Sequence, residues 1–142
     1  AGTLRDEGTS NMTAREIAIA ARYVRDCVNA ARRRIEQSLV SGLTPNQQER
    51  LSGAQIDMQH IEEFNRLASV DCPLQGSDTK PLPAVVDGLP GVAALLDEAV
   101  KTMPRVTSLP EHVLGGSIRH EARTTELLVN QARGAIRTYL AA

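Results

Sequence analysis

Between Thr13 and Ser41 the apolar residues Ile17, Ala21, Val24, Val28, Ala31, Ile35 and Leu39 recur at intervals of four and three. That period places them on one stripe of an α-helix. No Pro or Gly interrupts the stretch, Thr13 and Glu16 supply a capping box at its start, and Gly42 stands where a C-terminal glycine belongs. At about 1.5 Å per residue this rod is on the order of 40 Å long. It cannot hide its stripe alone, so the rest of the chain must supply partner helices.

The pattern restarts at Leu43-Thr44-Pro45-Asn46-Gln47, with Thr44 as N-cap, Pro45 in the first helical position and Gln47 completing a second box. The predicted second helix runs to about Val70, with Leu51, Ala54, Met58, Ile61 and Ala68 as its stripe and Ile56, Phe64 and Leu67 widening it. Residues 71–83 are rich in Pro, Gly, Ser and Asp and read as the longest loop, either a simple turn or an overhand crossing. Ala84 to Met103 is apolar but interrupted by Gly88, Pro90 and Gly91, which predicts a broken third helix ended by Pro104. Ser108-Leu109-Pro110-Glu111 opens a fourth helix to about Leu140, whose inner face carries Leu114, Ile118, Ala122, Thr125, Val129, Ala132, Ile136 and Tyr139. The expected fold is all-α: a single-domain four-helix up-down bundle over residues 13–142, its third helix broken near Gly88-Gly91, behind a flexible segment 1–12. Both chain ends should then emerge at one end of the bundle.

Composition narrows the function. Sixteen basic and 17 acidic residues give a net charge of −1, which offers no electrostatic footprint for nucleic acid or an anionic membrane. Aromatic residues are 2% of the chain and Trp is absent, which excludes base-stacking platforms. No apolar run is long enough to span a membrane within the chain, and the compartment, cytoplasmic or extracytoplasmic, stays open. Cys27 and Cys72 would sit about 18 Å apart along an antiparallel hairpin, too far for a disulfide.

Polar residues on an apolar arc are the candidates for chemistry. On the second helix Asp57 and His60 fall inside the arc, and on the fourth Glu121 lies on the inner face. An up-down order brings Asp57 and Glu121 to similar heights, and Arg25, Arg32 or Arg34 of the first helix could complete a polar layer. A buried carboxylate must be paired, so an Arg–carboxylate pair that fixes register competes here with a small-anion pocket and with a metal site. Di-iron bundles need two Glu-x-x-His motifs, whereas Asp57-x-x-His60 occurs once; neither a metal nor a cofactor is expected. His120 is expected on the exposed face. Ile19, Tyr23 and Ala30 form a flank of the first helix, either a self-association face or part of a wider core.

No nucleophile elbow, phosphate-binding glycine loop, zinc pattern or dinucleotide fingerprint occurs, so no catalytic residue is assigned. The expected role is a non-enzymatic module for protein interaction or assembly that self-associates. The alternatives are an extracytoplasmic receptor domain sensing a small anion and a metal- or cofactor-dependent bundle enzyme.

Overall fold

The computed structural model describes residues 12–39, 42–70 and 72–141. Among these the chain is all-helical, with five α-helices and no strand. They are α1 (Ala14–Leu39), α2 (Pro45–Ser52), α3 (Gln59–Val70), α4 (Leu89–Thr107) and α5 (Gly116–Ala141), with one 3-10 turn at Gly76–Asp78. The segment 1–11, expected to be flexible, lies outside the described residues; Met12 is buried against the core.

The predicted box starts α1: the Thr13 hydroxyl accepts the Glu16 N–H at 3.1 Å, and the Glu16 carboxylate accepts the Thr13 N–H at 2.9 Å. All of the stripe from Ile17 to Ile35 is buried. Thr44 and Gln47 likewise cap α2 reciprocally.

Three boundaries differ from the sequence reading. The second helix is two helices, because Gly53 ends α2 and the Asp57 carboxylate, accepting the Gln59 N–H at 2.9 Å, starts α3. Ala54 and Ile56 still plug the core from within the break. The third helix, by contrast, is unbroken. Gly88 caps it at φ +81°, Pro90 sits in the first turn where its missing N–H goes unneeded, and the helix passes through Pro104 to Thr107. Finally, α5 begins at Gly116 (φ +61°), not near Ser108. Pro110–Leu114 is a separate turn in which the Pro110 carbonyl accepts the Val113 and Leu114 N–H at 2.9 Å, and Arg119 brackets it by donating to Leu114 O at 2.6 Å and to Leu109 O.

The helices pack as a bundle in which α1 and α5 each touch α3 and α4, with α2 continuing the α3 position. Cross-helix pairs fix the directions. Arg25 meets Glu62 and Tyr23 meets Glu98, while Arg34 reaches the start of α4; α1 is therefore antiparallel to both α3 and α4. His60 meets Glu121, Arg137 meets Asp97 and Thr107 meets Glu126, so α5 is antiparallel to both as well. A simple up-down order would run α4 parallel to α1. The observed order is up, down, down, up, and Ala14 and Ala141 lie at opposite ends.

The reason is the 72–88 connection, which takes the overhand path as a strap along α1. Its Asp78 pairs with Arg15, Lys80 lies 4.3 Å over the Tyr23 ring, and the Val86 carbonyl accepts from Arg34 at 2.6 Å. Eight extended residues cover about 26 Å, and the helix between Arg15 and Arg34 rises about 28 Å. The strap thus carries the chain from one end of the bundle to the other before α4 begins.

Candidate functional site

The one cross-helix ionisable pair of the predicted polar layer that forms is His60–Glu121. His60 stands in the first turn of α3 and Glu121 early in α5, and antiparallel packing brings Nδ1 within 2.6 Å of Oε1. Glu121 is 15% exposed and His60 38%. The carboxylate is placed to accept a proton carried on Nδ1. The His120 ring, exposed as expected, stands edge-on to His60 with centroids 6.4 Å apart. Among the described residues no group of three His, Cys, Asp or Glu is placed to hold a metal ion.

The other predicted members go elsewhere. Asp57 is exposed and caps α3, so it does not join Glu121: the break after Gly53 ends the helical phase that placed it inward. Arg25 pairs with Asp26 at 3.0 Å and Glu62 at 3.6 Å on the rim between α1 and α3. Arg34 serves the strap. Arg32 is half-buried, and its Nε has no hydrogen-bond partner among the described residues. The expected layer is therefore one pair, not a cluster.

The Ile19, Tyr23, Ala30 flank is covered by the chain's own strap and α4. Tyr23 is buried, and its hydroxyl donates to Glu98 at 2.8 Å. Burial, then the neighbouring carboxylate, raises the Tyr23 pKa above its ordinary value. Ala30 packs against the core, and Ile19 is half-buried. Tyr23 thus follows the wider-core alternative, while Ile19 stays half-exposed beside the strap. That the 72–88 strap is the segment lying over Tyr23 was not legible, because a coil segment carries no periodicity that says which helix it will cover.

No protein-family model, characterised protein or solved structure matches the chain. Its site must be read from geometry.

Two features stand out. The first is the strap's outer side: Leu82, Ala84 and Val86 are exposed, whereas Pro83 and Val85 between them are half-buried. That alternation is the period of an extended strand, with an apolar row facing out. The second is a cleft of about 170 Å³ between α1, α4 and the strap, lined by Met12, Glu16, Ile19, Ala20, Tyr23, Lys80, Thr102 and Arg105.

The thiols are both free. Cys27 lies beneath Tyr23 in the core, and burial pushes its pKa up to about 12, so it stays protonated. Cys72 is half-buried at the start of the strap. No helix among the described residues is long and apolar enough to cross a membrane.

Proposed function

We propose that the chain is a non-enzymatic helical module for protein interaction or assembly, and that it associates with copies of itself through the strap. The observation that supports this is the outward row. Leu82 is 42% and Val86 66% exposed, on a segment held at Arg15, Tyr23 and Arg34. Holding a coil in one extended conformation costs roughly 1–2 kcal/mol per residue. A fixed strap that points apolar side chains at water has the character of a recognition element prepared in advance. Pro81 and Pro83 remove amide donors at alternate positions along one edge, which guards that edge against ladder pairing and leaves the side-chain row as the contact.

Full burial of a Leu or Val gives about 1.5–3 kcal/mol. Scaled by their exposures, Leu82 offers about 0.6–1.3 kcal/mol and Val86 about 1–2 kcal/mol to a partner. In a two-fold pair each residue counts twice. Leu82→Asp and Val86→Asp should each weaken self-association by tenfold or more in sedimentation equilibrium, with the helical content unchanged. A protein that stays monomeric at millimolar concentration would refute the self-association reading.

A further inference from the structure

The cleft between α1, α4 and the strap has a polarity that its position alone does not require. Its floor is apolar, made by Met12, Ile19, Ala20 and the Tyr23 ring, and its rim carries Lys80, Arg105 and Glu16. The Glu16 carboxylate is already engaged: it accepts the Thr13 amide and completes the cap of α1. Arg105 makes no hydrogen bond or close ion pair among the described residues and faces Glu16 only at longer range, adding to the Thr13 bonds that hold that carboxyl below its ordinary pKa, while Lys80 stacks on the Tyr23 face. Two cations with donors to spare therefore overlook a pocket whose single carboxylate is in use. Thr102 adds a hydroxyl, which donates to Glu98 O at 2.8 Å and keeps its lone pairs free to accept.

The cleft is formed before any ligand arrives. The Tyr23 hydroxyl is fixed by Glu98 at 2.8 Å, the strap holds Lys80 at 4.3 Å from the ring centroid, and Ala20 is buried at the helix contact. Preformed walls spare the ordering cost of binding. Size sets the class of ligand: about 170 Å³ compares with a cavity of about 150 Å³ that admits a benzene ring. A nucleotide or sugar chain would extend well beyond it.

We propose that this cleft binds a small carboxylate with a compact apolar body, its charge met by Arg105 and Lys80 and its body seated on Ile19, Ala20 and Tyr23. A planar guanidinium is suited to a carboxylate because it offers two parallel donors. The apolar floor gives such a ligand an advantage over inorganic anions, which have nothing to bury. This site is separate from the outward row of the strap, and it goes beyond the assembly role proposed above.

The test uses the full chain and benzoate as probe, followed by two-dimensional amide NMR. Benzoate should give saturable shifts at Ile19, Ala20, Tyr23 and Thr102. It should bind at least tenfold more tightly than benzyl alcohol, and benzylamine should bind more weakly still. Arg105→Gln and Lys80→Gln should each lower benzoate affinity about tenfold or more. Arg33→Gln, outside the cleft, should leave it unchanged. Ile19→Trp, which fills the cleft and removes no charge, should abolish binding and so separates loss of the cavity from loss of charge. Absence of saturable shifts with benzoate would overturn the proposal. So would equal affinity for benzyl alcohol, or an Arg105→Gln and Lys80→Gln pair that binds benzoate as the parent does.

Discussion

Gly91 stands where the strap, α1 and α4 meet, and replacing it with Ala tests the whole arrangement. A Cβ at this position would run into the Val86 carbonyl and the Arg34 guanidinium, the two partners of the strap's upper clamp. One obstacle is backbone, so it cannot simply rotate away. Overpacking of this kind costs about 1–3 kcal/mol. The Arg34–Val86 bond, partly exposed, adds about 1 kcal/mol if it breaks. Alanine returns up to about 1 kcal/mol of helix propensity, less in a first turn. The expected net loss is about 2 kcal/mol, read as a lower urea midpoint at unchanged slope. Gly134 provides the contrast: it lies in α5 with nothing within 4 Å of a Cβ, so Gly134→Ala should stabilise by about 0.5–1 kcal/mol. If Gly91→Ala proves neutral or stabilising like Gly134→Ala, the strap does not seat against α4 as described.

Thr125 is fully buried and its hydroxyl has no partner among the described residues, so Thr125→Val should raise stability by about 1 kcal/mol in the same denaturation assay; a loss of that size would show that the hydroxyl is satisfied. Asp78 is held below the usual carboxylate range by the Gln75 amide and then by Arg15. Its stabilisation is therefore full above the unfolded pKa of about 4 and is lost as pH falls through the lower folded value. Hydrogen exchange should show the strap loosening below about pH 4, and Asp78→Asn should remove that pH step; a step of the same size in the variant would sink the assignment. Thiol titration of the native protein should modify Cys72 and spare Cys27 until the chain unfolds, and equal rates for the two would contradict the burial of Cys27.

The local devices were legible in the chain itself. The α1 stripe, the Thr13/Glu16 and Thr44/Gln47 boxes and the all-helical class each follow from contacts within a few residues, which spacing records directly. His60 and Glu121 were legible as polar residues on apolar faces, and they meet. What misled was the extrapolation of helical phase through Ser52-Gly53, where capping by Asp57 competes with continuation; the miss carried Asp57 out of the core.

Only the tertiary structure decided how the rods are ordered. A stretch of 18 residues is long enough either to turn back or to climb the bundle, and loop-closure entropy separates those choices by little. The choice fell to distant partners: Asp78 with Arg15, Lys80 with Tyr23, Val86 with Arg34. Sequence spacing carries no record of such pairs, because they join residues that meet only after both elements have formed. The strap's path then fixed which flank of α1 is covered, which side chains of 82–86 face out, and where the cleft beside Arg105 opens.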